Sequence, residues 1–482
     1  TVNLTVNQTK GQTTAITNTG GASGEGFTVN VQGAGDTTIT SSDFANVAVS
    51  ASATGNTTLS ASDGTENMTA NIAGGDKTTI DTNGADVALN VTGGNKVVVD
   101  GASTGQTTNI AGSISGDAVA DTQLHLEGSG GNFAVDGSEM AGLANLSTTG
   151  AAQTTVSDLT TTADSFNLTT DNSVVFEDAT MNSVRTFNIA TGEGAENAAA
   201  PVTISGAFDA SNPGAAPKPL GLQSVKELTI TGDQQVTIEC ALGTRGGEAV
   251  TINAENADGG FTLGGSGINT AGGIFNGGNG ADSLVIAGIA GNYDMNMGKG
   301  ADTLLVETGW GTQDRVAMID VDLGADDAAD TIALWGQKGS GNHSKGGAYI
   351  KVSNFVAAND KLGTFDIPVD DASTLGGAYV EWGAIASNAS KITGFLNAFL
   401  GDDAITAAAL QTEGLYTSDG KFLTTGTGAN AKTYLAFITN DGGSGQALDS
   451  SATVNGCALV ELVGVALNST ANSGCVTGNI DA

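Results

Sequence analysis

The chain has 482 residues, is 39% hydrophobic but only 5% aromatic, and contains 72 glycines, a composition that excludes a thick globular core and favours thin β layers stitched by backbone ladders. Lys and Arg number 16 against 51 Asp and Glu, for a net charge of −35. That balance excludes nucleic acid and anionic membranes as partners, since phosphate contacts need clustered Lys and Arg. Self-repulsion on this scale opposes a compact state unless cations bind, although a halophilic habit would also account for the acidity. No apolar run approaches the roughly 18 residues of a membrane span, so no membrane insertion is expected. Thr1 is not a start methionine and no signal-peptide pattern follows it; the expectation is a processed N-terminus, a piece of a longer chain, or a chain of which only part is described.

Residues 1–130 repeat themselves. A glycine followed by a short Thr-rich strand recurs at Gly11, Gly35, Gly55 and Gly75, and again at Gly94, with the steps from Gly35 onward nearly equal. Between these lies a second strand series that includes Phe27-Thr28-Val29-Asn30-Val31, Val47-Ala48-Val49 and Val87-Ala88-Leu89. The unit is therefore about 20 residues with two strands, which predicts a right-handed parallel β-solenoid, a β-helix or β-roll. Alternation within Thr28-Val29-Asn30-Val31 puts Val inside and Thr and Asn outside. The outward Asn and Thr ladders either satisfy cross-strand hydrogen bonds or carry glycans at the Asn-x-Thr sequons that start at Asn3, Asn7, Asn56, Asn67, Asn90 and Asn167.

From 131 to 255 the spacing loosens while the strand vocabulary persists, as in Ser165-Phe166-Asn167-Leu168 and Thr186-Phe187-Asn188-Ile189. Pro201, Pro213, Pro217 and Pro219 mark an excursion, either a surface loop or a contact arm. We place the β-solenoid repeat region at 1–255, a glycine-aspartate region at 256–340 and a C-terminal cap at 341–482.

The glycine-aspartate region carries the chemistry. Gly277-Gly278-Asn279-Gly280-Ala281-Asp282-Ser283-Leu284 is repeated as Gly298-Lys299-Gly300-Ala301-Asp302-Thr303-Leu304, which sets Asp302 one period after Asp282. Glycines allow the tight turns whose carbonyls can point at an ion, and aspartate supplies the hard oxygen that suits calcium. Candidate ligands are Gly278, Gly280 and Asp282 in the first copy, and Gly298, Gly300 and Asp302 in the second. Looser copies add Asp314, Asp322, Asp326 and Asp330, with Asp322 at the same step again beyond Asp302. The alternative is that these turns close a solenoid without metal.

GGNGADSL and GKGADTLL resemble the glycine-rich nonapeptide repeats of RTX proteins, which bacteria export by type I secretion. Val352-Ser353-Asn354-Phe355-Val356-Ala357-Ala358-Asn359-Asp360-Lys361-Leu362 resembles the segment that closes many RTX rolls. The stretch 384–413 has apolar residues at helical spacing, and Tyr434–Phe437 with Leu459–Val465 read as paired terminal strands of the cap. The resemblance implies that the C-terminal region also holds the export signal. The three cysteines, Cys240, Cys457 and Cys475, depart from the habit of type I-secreted chains. Cys457 and Cys475 either pair outside the cell or remain free thiols.

Catalytic constellations are missing. His125 and His343 are the only histidines, and no HExxH, phosphate loop or CxxC occurs. A β-helix enzyme acting on polyuronate is the catalytic alternative, but sparse Lys and Arg leave little to hold an anionic sugar chain. With no catalytic residues in view, the chain is similar to RTX-type surface-layer (S-layer) proteins, with an RTX adhesin or matrix filament subunit as runner-up. That resemblance implies an extracellular, bacterial cell-surface location, several bound Ca2+ ions, self-association into a lattice or filament, and a cell-surface polysaccharide as a further partner.

Overall fold

The structure, a computed structural model, describes residues 2–8, 12–18, 26–33, 36–41, 46–53, 56–61, 67–73, 77–82, 86–92, 96–103, 106–115, 123–177, 181, 183–192, 202–204, 222–238, 242, 249–268, 272–286, 291–308, 316–336, 346–364, 380–382, 422–425, 427–440, 454–466 and 476–477. It is an all-β parallel solenoid. The chain forms two compact units, Thr1–Ala241 and Leu242–Ala482.

In the first unit, alternate strands feed two parallel stacks. One stack begins Val2–Gln8, Gly26–Gly33, Asn46–Ala53 and Asn67–Ala73, each paired in parallel with the next. The other begins Thr13–Asn18, Asp36–Ser41, Thr57–Ala61 and Lys77–Asp81. Val29 pairs with Val49, one period on, as the repeat predicts. Later coils lengthen, so Val175 pairs with the more distant Thr203. The average rises to about 23 residues per turn, above the expected period. Extra residues also bulge within strands, as between Leu263 and Ile268, which pair with Leu284 and Ile286 across a register shift.

Alternation decides what is buried. Val29 is buried between half-exposed Thr28 and Asn30. The outer Asn ladder is real: Asn167 Nδ2 donates to Asn145 Oδ1 at 2.7 Å, and Asn188 Nδ2 donates to Asn167 Oδ1 at 2.7 Å. Threonine does not keep to the outside, however. Thr78, Thr108, Thr148, Thr154 and Thr170 are buried in the interior. Threonine has the branched shape of valine, and its hydroxyl can pair there, as Thr148 Oγ1 does with Thr170 Oγ1 at 2.7 Å.

The few aromatics concentrate the core. Phe166 meets Phe187 edge-on at 5.6 Å and Phe176 at 6.3 Å, and all three are fully buried. Truncating Phe166 to Ala should cost about 3–5 kcal/mol. A denaturant melt of the first unit's signal checks this; a loss below about 1 kcal/mol would mean the coil collapses around the gap.

In the second unit one stack runs Phe261–Ile268, Ser283–Ile286, Thr303–Thr308, Thr331–Gly336 and Lys361–Thr364. The other runs Val250–Ala257, Gly272–Asn276, Gly291–Asn296, Val316–Asp322 and Gly346–Ser353, then meets Val454–Val463. Lys432–Asn440 pairs antiparallel with Val454–Val463, which bears out the expected terminal strand pair. The expected short helices at 384–413 and most of the proline-rich excursion lie outside the described residues. No described helix is long and apolar enough to cross a membrane.

Candidate metal site: a buried aspartate column

Each glycine-rich turn of the second unit leads from one stack to the other and delivers an aspartate just before the next strand. Stacking the coils stacks these aspartates. Asp282, Asp302, Asp330 and Asp360 are 1–3% exposed. They form a continuous relay. Asp282 N–H donates to Asp302 Oδ1 at 2.8 Å, Asp302 N–H to Asp330 Oδ1 at 2.9 Å, and Asp330 N–H to Asp360 Oδ1 at 3.0 Å. Phe261 N–H closes the near end on Asp282 Oδ1 at 2.7 Å. The main chain runs alongside: Thr303 N–H donates to the Asp282 carbonyl and Thr331 N–H to the Asp302 carbonyl, both at 2.7 Å.

The glycines are required by contact as much as by torsion. Gly298 (φ +88°) and Gly324 (φ +85°) lie in the left-handed region, and a Cβ on Gly324 would sit 1.7 Å from the Gly298 carbonyl oxygen. Gly298 in turn rests on Gly278, whose carbonyl oxygen would be 2.3 Å from its Cβ. Gly280 and Gly300 abut neighbouring turns in the same way. Gly324→Ala should therefore destabilise the second unit by at least about 3 kcal/mol through strain and clash. Thermal unfolding of the variant measures it, and an unchanged midpoint would refute the stacking.

Burial dominates the electrostatics. It pushes the Asp302 carboxyl up to about 8, helped by the nearby charges of Asp282, Asp330 and Asp326 and opposed by the Asp282 amide. Burial also lifts Asp282 and Asp330 to about 6 each, and raises Asp360. Both oxygens of Asp282 and of Asp360 accept backbone amides. Asp302 Oδ2 is buried and accepts no hydrogen bond. That orphaned oxygen, among other carboxylates, fits a hard cation such as calcium. Among the described residues no three His, Cys, Asp or Glu side chains converge on one ion. Turn carbonyls or water would have to complete the roughly six to eight oxygens calcium takes.

The sequence-derived candidates separate into groups. Gly278, Gly280, Asp282, Gly298, Gly300, Asp302 and Asp330 meet along the column. Asp326 approaches it and accepts the Gly300 N–H at 2.9 Å. Asp322 does not become the next rung, although it falls one period after Asp302. It ends the strand Val316–Asp322, opposite Asn296 and Ser353, and its Oδ1 accepts the Gly324 N–H at 3.0 Å. Asp330 takes the rung because the coil after Asp302 spans 28 residues. Asp314 lies outside the described residues, as do Cys475 and His343. Asp360, absent from the candidate ligands, terminates the column; its signal was the DKL segment that contains it. His125 sits on an outer strand face with Nδ1 3.0 Å from Ser147 Oγ, and burial lowers its pKa.

Comparison with known proteins identifies no relative: no family model, no curated protein and no solved structure matches this chain.

Proposed function

We propose that this chain is an extracellular structural protein that winds up in response to calcium and self-assembles into a bacterial surface layer. The observation that carries the reading is the buried aspartate column with its open Asp302 oxygen, set within a repeat solenoid. The RTX-like turns at 277–284 and 298–304 support it.

Bound calcium would supply positive charge that offsets the buried carboxylates of Asp302 and its neighbours Asp282, Asp326 and Asp330. The chain's own residues do the remainder. Asp282, Asp302, Asp330 and Asp360 clip each coil to the next through their amides and carboxylates, and the stacked glycines let the turns approach. Where divalent cation is scarce, four buried carboxylates in a row oppose winding, which keeps the chain extended enough for export. Where cation is abundant, binding to the wound state alone draws the equilibrium toward it.

Adding millimolar calcium to chelated protein, followed by electron microscopy and sedimentation, tests the assembly step. Extended two-dimensional sheets are expected. Fibres would transfer the reading to a filament or adhesin subunit, and a persistent monomer would overturn both.

A further inference from the structure

On the second unit's outer face, the strands Gly272–Asn276, Gly291–Asn296, Val316–Asp322 and Gly346–Ser353 line a groove with a cavity of about 420 Å3. Two outward rows build it. Asn292, Met318 and Tyr349 are register partners in one row, and Ile274, Asp294, Asp320 and Lys351 in the next. Ile274 is 44% exposed and Met318 39%, two of the few large apolar side chains left in water among the described residues. Asp320 is committed to Lys351, whose Nζ lies 2.8 Å away. Asp294 is different: it lies within electrostatic reach of Lys351 but hydrogen-bonds to no described residue. At one end the groove is walled by Tyr349, buried with its hydroxyl donating to Glu461 Oε2, while Lys432 Nζ pairs with Glu461 Oε1 at 2.7 Å.

We propose that this groove binds a polysaccharide carrying free amino sugars. The carboxylate of Asp294, not hydrogen-bonded among the described residues, complements a protonated amine, and the exposed Ile274 and Met318 offer apolar surface to the C–H face of a sugar ring. Asn292 and the Asp320–Lys351 pair present donors and acceptors for hydroxyls. Successive rungs repeat at about 4.8 Å, close to the length of one pyranose ring, so neighbouring strands address neighbouring sugars. An anionic polysaccharide is disfavoured by the groove's carboxylates and by the chain's net charge of −35. The groove shares no residue with the aspartate column, so its failure would leave the calcium reading intact, and the reverse.

The test is titration calorimetry on the full chain at fixed calcium, with glucosamine hexamer as ligand and N-acetylglucosamine hexamer, alginate hexamer and a lysine-rich peptide as comparisons. Glucosamine hexamer is expected to bind best. Asp294→Asn should weaken it about three- to fivefold, and Met318→Ser by a similar factor. Asp233→Asn, which removes the same charge from an exposed site in the first unit, should change nothing. Circular dichroism of each variant confirms an unaltered fold. Equal losses in Asp294→Asn and Asp233→Asn would reduce the effect to general charge attraction and overturn the proposal. No binding would also overturn it, as would tighter binding of the peptide with the same dependence on Asp294, which would make the groove a protein-docking surface.

Discussion

Asp302→Asn should raise the stability of the chelated protein at pH 8 while abolishing its stabilisation by calcium. Asparagine keeps an Oδ1 to accept the Asp282 N–H, a bond of 2.8 Å in the native column. It removes a charge from a residue 1% exposed, whose second oxygen has no partner. It also places an amide donor among the carboxylates of Asp282, Asp326 and Asp330, whose charges oppose ionisation of Asp302. Relief of the unpaired buried charge is worth about 1–3 kcal/mol, read as a higher melting temperature in chelator. The same change removes the buried, unpaired carboxylate oxygen of Asp302, so added calcium should shift the variant's melt little. Asp302→Ala separates the two effects: it leaves the Asp282 amide without its acceptor and should destabilise by about 1–3 kcal/mol. If Asn behaves as Ala does, or responds to calcium as the native chain does, the orphaned oxygen has no special role.

In chelator, stability should fall as pH rises from about 4 to about 8. The cause is the column: Asp282 and Asp330 at about 6 and Asp302 at about 8, all above the ordinary 3.8 of an unfolded aspartate. A carboxyl with a raised folded pKa takes up a proton on folding. Its stabilisation is complete below the unfolded pKa and is lost as pH climbs through the folded one. Acid would therefore favour the calcium-free fold, against the usual trend for carboxylates. Asp136 gives the opposite sign on the first unit, since its bonds from the Ser138 side chain and the Ser138 N–H at 3.0 Å lower its pKa. Its contribution is present above the unfolded pKa and lost on acidification. Saturating calcium should flatten the fall between pH 4 and 8, because a cation replaces the proton as the partner of the buried oxygens. Thermal melts across that range, with chelator and with calcium, read both curves. A calcium-free stability that rises steadily to pH 8 would contradict the buried, desolvated character of these carboxylates.

Much of the architecture is legible in the chain because a solenoid writes its period into its sequence. Val29 and Val49 pair as their spacing predicts, as do Leu284 and Leu304. The alternation at Thr28–Asn30 fixed which side chains turn inward, and the terminal strands around Tyr434 and Leu459 announced themselves as hydrophobic runs. What the period could not convey is where coils lengthen. Counting one period from Asp302 lands on Asp322, yet the coil there spans 28 residues and Asp330 takes the rung. The buried Thr148, Thr154 and Thr170 were hidden for another reason: threonine's side chain suits either face of a strand. The groove was invisible because Ile274, Asp294, Asp320 and Lys351 follow one another at ever longer intervals, with no shared spacing to betray one row.

The most direct measurement is a circular dichroism titration of calcium into the chelated chain at pH 8, with magnesium as the control. A gain of β signal and of melting temperature with calcium, and little with magnesium, is the result this account predicts. Magnesium demands a near-octahedral shell and sheds water reluctantly, which suits it poorly to a dry row of carboxylates already bonded to amides. A chain that is fully folded in chelator and indifferent to calcium would contradict it, and would leave the aspartate column as an amide-capping spine that holds the coils together without metal.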